Sequence, residues 1–114
     1  MSLPELSRLE IDAEQDLAIL RILPDHLDFE QRLAFSRACS ELLATPVNRL
    51  VVDLTHVERI FSVFVGGLAD LALRSEDAAK ALTILARPAV ANIFEQVNLA
   101  SPLNVRVVDE EPRS

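Results

Sequence analysis

The chain is poor in several residues on which common kinds of site depend. It has 114 residues and a single cysteine, Cys39, so no disulfide can form within it, and a lone thiol is typical of reducing compartments. Trp and Tyr are absent, and the only two glycines are adjacent, Gly66 and Gly67. No apolar run approaches the roughly 20 residues that cross a bilayer, and no secretory leader follows Met1. The sequence therefore predicts a cytoplasmic protein.

Basic residues are scarce as well. The chain has eleven Lys and Arg residues and 18 Asp and Glu residues, which gives a net charge of -7. The basic residues are scattered singly along the chain. Affinity for nucleic acid or for an anionic membrane begins with clustered basic side chains. We therefore predict no nucleic-acid partner and no direct insertion into a membrane.

Length and periodicity predict one α/β domain that spans residues 1–114. Apolar stretches with strand character alternate with amphipathic stretches, an order that favours a mostly parallel sheet with helices packed against it. The first strand alternates apolar and polar residues, as an edge strand does, and the second has apolar residues at both odd and even positions, as an interior strand covered on both faces would have. The predicted strands are 8–12, 17–23, 50–54, 81–86 and 105–108, and the predicted helices are about 29–44, 62–74 and 88–98.

Two polar residues indicate where helices begin. Asp28 is followed three residues later by Gln31, a variant of the capping box that opens the first helix, and Leu33 falls on the apolar side of that helix. Ser62 is the predicted N-cap of the second helix.

The residues that could support catalysis lack the required pattern. Asp53, His56 and Ser62 are close in sequence, but Asp53 lies inside a strand and Ser62 is not in a G-x-S-x-G turn. His26, His56 and Cys39 lack the spacing of metal ligands, and no glycine-rich loop follows a strand. The sequence therefore predicts no enzyme activity, no metal and no cofactor.

The two glycines lie on the second helix, and at 100° per residue they share one side with Val63, Asp70 and Arg74. Glycine in a helix interior costs about 1 kcal/mol relative to Ala, so the pair requires an explanation. One explanation is close packing against a neighbouring element. The other is a flat apolar surface, formed by Val63 and the glycines, on which a protein partner docks.

Ser62 has two interpretations that are compatible with each other. As an N-cap, its hydroxyl would satisfy a free backbone N–H group. As a phosphate acceptor, it would place a charge of about -2 at the end of the helix where N–H groups and the dipole favour an anion.

Several local strings resemble the STAS domain, the fold of bacterial anti-sigma factor antagonists. Residues 50–60 (LVVDLTHVERI) are similar to the third strand and following loop of that family, and residues 87–99 (RPAVANIFEQVNL) are similar to its third helix. Asp28 matches the acidic residue that opens the first helix. The resemblance extends over residues 9–108 and implies a non-enzymatic regulator that binds a signalling protein.

The motif that carries regulation in the antagonists is Asp-Ser-Ser-Gly-Leu-Gly, whose first Ser is phosphorylated by the anti-sigma kinase. Residues 61–66 (FSVFVG) match it without gaps, so the resemblance implies phosphorylation at Ser62 and retains the last glycine as Gly66. Phe61 replaces the acidic residue, and Val63 and Phe64 replace the second Ser and the first Gly. The residues expected to bind the partner, an anti-sigma factor, a kinase-like protein or another STAS protein, are Asp28, Phe61, Val63, Phe64, Gly66, Gly67, Asp70 and Arg74.

A second hypothesis remains open. The apolar loop also fits a structural or adaptor subunit without phosphorylation, either self-associating as a homodimer or larger scaffold, or accessory to a membrane transport complex. Exposure of Phe61 and Phe64 would favour it, since apolar loop tips promote association. A hydrolase with Ser62 as nucleophile is the third hypothesis.

Overall fold

The computed structural model describes residues 5–109, which form five strands and three helices. The strands are β1 (Ser7–Asp12), β2 (Leu17–Ile22), β3 (Arg49–Asp53), β4 (Ala81–Ala86) and β5 (Val105–Val107). The helices are α1 (Arg32–Leu43), which follows a short 3-10 helix (Phe29–Gln31), α2 (Ser62–Asp77) and α3 (Pro88–Gln96). The predicted elements agree with these bounds to within three residues at each end.

The strands form one sheet in the order β1-β2-β3-β4-β5. The edge strand β1 is antiparallel to β2, and every later neighbour is parallel, with Leu20, Val52 and Ile84 side by side in the three central strands. The α/β class and the mostly parallel sheet with an N-terminal edge strand are thus confirmed.

All three helices lie on one face of the sheet. The three crossovers advance in the same direction along the strand order, and right-handed crossovers of that kind put their helices on the same side. The buried apolar strand residues share that face: Ala18, Leu20, Ile22, Leu50, Val52, Ile84 and Ala86. The prediction that β2 is covered on both faces is wrong, because its alternate residues, Leu17, Ile19 and Arg21, are only half-buried.

The core lies between the sheet and the helices. Phe35 of α1, Phe64 of α2 and Phe94 of α3 are fully buried, and each helix thus contributes one aromatic ring. Leucine and isoleucine side chains fill the space around the rings. Within residues 5–109, none of the helices combines the length and the hydropathy that a bilayer crossing requires.

The two flanks of α2 differ. On one side it packs against α1. On the other, α3 has only nine residues, and the chain from 97 to 104 continues mostly in turns, with Asn98 and Asn104 in the left-handed region at φ 61° and 52°. Side chains from these turns, including Leu99 and Leu103, line a cavity beside α2.

Candidate functional site

Two loops adjoin at the carboxyl ends of β2 and β3. His26, in the loop after β2, pairs with Arg59, in the loop after β3. The carbonyl of Asp25 accepts hydrogen bonds from the N–H groups of Glu58 at 2.7 Å and Arg59 at 3.4 Å. The segment that leads to Asp28 and the segment that leads to Ser62 are therefore held together at one end of the sheet.

Asp53 anchors this end of the sheet. Its buried carboxylate accepts hydrogen bonds from Arg21 Nη1 at 3.0 Å, from the Thr55 N–H at 2.9 Å and from Thr55 Oγ1 at 2.6 Å. His56 is exposed and is not among these partners. The carboxylate therefore holds β2, β3 and the following loop in place, which is a structural role.

The start of α2 differs by one residue from the sequence prediction. Phe61 is the N-cap, with an extended backbone (φ -90°, ψ 157°), and its carbonyl accepts from the Phe64 N–H at 2.9 Å. Ser62 is already helical, at the first position of α2, so the prediction that it is the N-cap is wrong. Its side chain is exposed.

Asp28 has a capping role at the other loop. It precedes the 3-10 helix with an extended backbone, and its N–H donates to Gln31 Oε1 at 2.6 Å, which is the reciprocal bond expected of a capping box. The predicted pairing of Asp28 with Gln31 is therefore present.

Gly66 and Gly67 are exposed on α2, and the fold requires glycine at neither position. A Cβ added at Gly66 would meet no atom within 4 Å, and one added at Gly67 would meet the Phe35 ring at 3.7 Å, an ordinary van der Waals distance. Both residues have negative φ. Of the two explanations for the pair, close packing against a neighbouring element is thus wrong, because there is room for a methyl group at each position.

A groove of ≈ 240 Å³ runs between α1 and α2 beside Gly67. Phe35, Phe64 and Leu71 form its apolar base, and Val63, Asp70 and Arg74 form the α2 side. Asp70 Oδ2 and Arg74 Nη1 are 3.6 Å apart, one helical turn from each other. We call this feature the α1–α2 groove; the α1 side adds Arg32, Leu33, Ser36 and Cys39.

Phe64 does not lie on the surface, contrary to the prediction that it contacts a partner. Its side chain is 1% exposed, and its ring packs edge to face with Phe35. Phe61 is 55% exposed, as the adaptor hypothesis expects. Only one of the two loop phenylalanines is therefore available for contact, and the other supports the groove from below.

Two exposed apolar residues near the groove are not among the site residues that the sequence predicts. Leu33, predicted on the apolar side of the first helix, is 65% exposed at the edge of the groove, and Phe29 is also exposed, with the Arg32 guanidinium 3.9 Å from its ring centroid. The signal was available: Phe35, Ala38, Cys39 and Leu42 follow the i, i+3, i+4, i+7 pattern of a buried face, and Leu33 is 200° away from Phe35.

Cys39 lines the groove, but its thiol is unreactive at neutral pH. It is buried, and burial raises the pKa of its thiol to about 12, with a smaller opposing effect from Arg74. A thiol with such a pKa is a poor nucleophile and a poor metal ligand at neutral pH. Among residues 5–109, no three His, Cys, Asp or Glu side chains are arranged to hold a metal ion.

Fold and site together define a domain of the STAS class. The family model described as "Mlab, STAS domain" matches residues 7–108. The chain therefore belongs to this STAS domain family, as its sequence resemblance predicted. Among curated proteins, no sequence is significantly similar to the chain.

Solved structures share the fold at low sequence identity. A crystal structure of an anti-sigma factor antagonist from Mycobacterium paratuberculosis is similar with a TM-score of 0.75 and 19% identity, over 90% of this chain and 85% of that chain. The anti-sigma factor antagonist SpoIIAA in its unphosphorylated form gives a TM-score of 0.66 and 18% identity, over 91% and 89%. The Bacillus cell fate determinant SpoIIAA in its phosphorylated form gives 0.67 and 17%, over 91% and 92%.

Proposed function

We propose that the chain is a non-enzymatic regulator that binds a signalling protein, an anti-sigma factor or a kinase-like partner, through the α1–α2 groove and the exposed start of α2. The contact residues would be Phe61, Val63, Gly66, Gly67, Asp70 and Arg74 on α2, with Asp28, Phe29 and Leu33 on the adjoining loop and helix. The fold shared with anti-sigma factor antagonists supports a regulatory role of this kind.

The glycine pair is the observation that carries this proposal. Two glycines in one helical turn reduce helix stability by about 2 kcal/mol relative to two alanines, and neither position is crowded in the isolated chain. Because the fold does not need them, a partner that approaches the helix backbone closely is the simplest reason for them. Exposed Val63 and Leu33 beside them supply the apolar contacts that the centre of an interface requires.

Ser62 is the proposed switch. Its hydroxyl is exposed at the first position of α2, where the N–H groups of the first turn favour an added phosphate. The helix would therefore tolerate phosphorylation, while a charge of about -2 between Phe61 and Val63 would oppose burial of those apolar side chains against a partner.

Affinity capture from the source cell with a Gly66→Ala variant tests the binding surface. The added methyl group meets nothing in the free chain, so a loss of capture reports a contact with the partner. Asn92→Ala, an exposed substitution on α3, is the matched control, since it also raises helix propensity but lies on another helix. Equal capture by the wild type and both variants would exclude the glycine surface.

The switch is tested in the same assay with Ser62→Asp and Ser62→Ala. We expect the Asp variant to lose the partner and the Ala variant to keep it, because only the former adds charge at the start of α2. Ser101→Asp, in an exposed turn before β5, controls for the added charge. Capture that is equal for the two Ser62 variants would remove the switch from the proposal and leave the binding surface in place.

A structural or adaptor subunit, accessory to a transport complex or self-associating, is the second candidate function, and the exposed apolar residues favour it. Phe29, Leu33 and Phe61 are each more than half exposed, and Phe61 stands where the antagonists carry an acidic residue. Sedimentation at several protein concentrations separates the self-associating form from the regulator. An apparent molar mass that rises with protein concentration in the wild type, but stays at the monomer value in Phe61→Ser, would support self-association. A constant monomer mass in the wild type would exclude it.

A further inference from the structure

A second cavity, of ≈ 550 Å³, lies on the flank of α2 that faces away from the α1–α2 groove. It is distinct from the proposed binding surface, and it falls within the range of about 300–1,000 Å³ that is usual for small-molecule pockets. We call it the α2–β5 pocket, because it lies between α2 and the turns that lead to β5. It is lined by Ala69, Ala72, Leu73, Ser75, Glu76, Lys80, Leu82, Leu99, Pro102 and Leu103.

The short α3 explains why this pocket exists. The helix ends at Gln96, and the turns that follow bring Leu99, Pro102 and Leu103 to the α2–β5 pocket without filling the space beside the C-terminal half of α2. On α2 itself the facing residues include two alanines, Ala69 and Ala72, which leave that space open.

One end of the pocket is polar. Ser75 is 1% exposed, and its Oγ has no hydrogen-bond partner anywhere in residues 5–109. Lys80 is at the same end: its backbone N–H donates to the Ser75 carbonyl at 2.8 Å, and its Nζ donates to the carbonyls of Leu43 and Thr45, which do not line the pocket. Glu76 also lines this end and is exposed.

The hydroxyl of Ser75 is the feature that points to a ligand. Buried polar groups in proteins are almost always hydrogen-bonded, and an unpaired one costs stability. Alanine, present twice on the same side of the helix, would avoid that cost here. A donor that is kept buried and unpaired beside an apolar pocket can pair with an acceptor of a bound molecule once the serine side chain rotates toward the pocket.

We propose that the α2–β5 pocket binds an unbranched medium-chain carboxylic acid. The alkyl chain would lie against Ala69, Ala72 and the leucines, and the carboxylate would accept a hydrogen bond from Ser75 at the polar end. From Ala69 to Glu76 the helix rises by about 10 Å, at 1.5 Å per residue, so an extended acyl chain of medium length fits along it.

Calorimetric titration of the full chain with sodium decanoate, below its micelle concentration, tests the proposal. A decyltrimethylammonium salt, with the same tail and the opposite charge, is the control ligand. We expect decanoate to bind in a 1:1 ratio and the cation to bind at least roughly tenfold more weakly, since a quaternary ammonium group cannot accept the hydrogen bond that Ser75 offers. Absence of decanoate binding, or equal binding of the cation, would overturn the proposal.

Three variants and one control locate the site. Ala72→Leu fills the pocket and should abolish binding, while Ala34→Leu, on the exposed side of α1, should leave it unchanged. Ser75→Ala should weaken binding roughly fivefold to tenfold, the usual effect of one hydrogen bond. Its melting temperature should not fall, because the lost hydroxyl has no partner in the free chain. Glu76→Gln should strengthen binding by removing a like charge.

If Ala72→Leu binds decanoate as tightly as the wild type does, the ligand lies elsewhere and the assignment is overturned. Partner capture provides an independent readout. Ala72 does not line the α1–α2 groove, so Ala72→Leu should keep the protein partner while it loses the fatty acid. The failure of this site and the failure of the proposed protein-binding function can thus be told apart.

Discussion

Phe35 of α1 and Phe64 of α2 pack edge to face, with ring centroids 5.2 Å apart and an interplanar angle of 86°. This geometry is one of the preferred arrangements of aromatic pairs. Because each ring belongs to a different helix, the pair sets the separation of α1 and α2 and thereby the width of the groove. Gly67 lies directly above the same Phe35 ring, with room for a methyl group between them.

The two phenylalanines at the start of α2 should respond differently to truncation. Phe64→Ala removes a fully buried ring and should lower the free energy of unfolding by about 3–5 kcal/mol. Phe61→Ala removes an exposed ring and should change it by no more than about 0.5 kcal/mol, while it reduces partner capture. Urea unfolding of both variants measures the difference. A small loss for Phe64→Ala would show that its ring is not part of the core.

Gly66→Ala should stabilise the isolated chain. The added Cβ meets no atom within 4 Å, and alanine is better than glycine in a helix interior by about 1 kcal/mol. Thermal unfolding should therefore show a higher melting temperature, and Gly67→Ala should behave alike, since its Cβ would lie at contact distance from Phe35. A lower melting temperature for Gly66→Ala would mean that the fold itself requires this glycine.

The Asp53 anchor should be important for stability. Asp53→Ala removes a buried carboxylate and leaves Arg21 and Thr55 without the acceptor they share, so we expect a loss of about 2–3 kcal/mol. Glu10→Gln is the matched control, because Glu10 pairs with the same arginine at 3.3 Å on the exposed side, where such pairs contribute about 1 kcal/mol or less. Equal effects of the two substitutions in urea unfolding would contradict the anchoring role.

Cys39 should resist alkylation in the folded state. With the pKa of its thiol raised to about 12 by burial, only about one molecule in 10⁴ carries a thiolate at pH 8. Iodoacetamide should therefore label the chain in urea and not in buffer, as mass spectrometry would show. Rapid labelling of the native protein would mean that the groove opens to expose the thiol.

The same pKa predicts how stability changes at high pH. An unfolded cysteine loses its proton near pH 8.5, whereas the folded thiol keeps it until about pH 12. Between these values the unfolded state binds fewer protons, so the free energy of unfolding falls as pH rises, by about 1.4 kcal/mol per unit. Cys39→Ala should lack this contribution, which urea unfolding at pH 8 and pH 10 can measure. Identical slopes for the two proteins would contradict it.

The fold was predictable from the sequence because its signals are local. Three such signals each define an element without reference to the rest of the chain. They are β-branched apolar runs such as 50–54, the Pro at the first position of α3, and the capping pair Asp28 and Gln31. The coverage of β2 was not predictable in the same way. Its outward residues Leu17 and Ile19 are apolar although no helix within residues 5–109 covers them, so hydropathy alone could not show that these residues are only half-buried.

The site was predictable in part. The helical wheel brought Val63, Gly66, Gly67, Asp70 and Arg74 to one side of α2, and the structure places Val63, Gly67, Asp70 and Arg74 at the same groove. A residue-by-residue match to the motif predicts that Phe64 lies on the surface. Its burial instead depends on the position of Phe35, which is distant in sequence. The α2–β5 pocket depends on three separated segments, and no local pattern indicates it.

The order of the strands in the sheet is also their order in the chain. Each strand and helix pair therefore packs against the pair before it, as the repeats of a solenoid do. Contacts between neighbouring pairs can thus form without a long loop having to close first. The α1–α2 groove is built by two consecutive pairs, β2 with α1 and β3 with α2. The α2–β5 pocket also requires the turns before β5, so the binding surface and the ligand pocket are built from different stretches of the chain and share only α2.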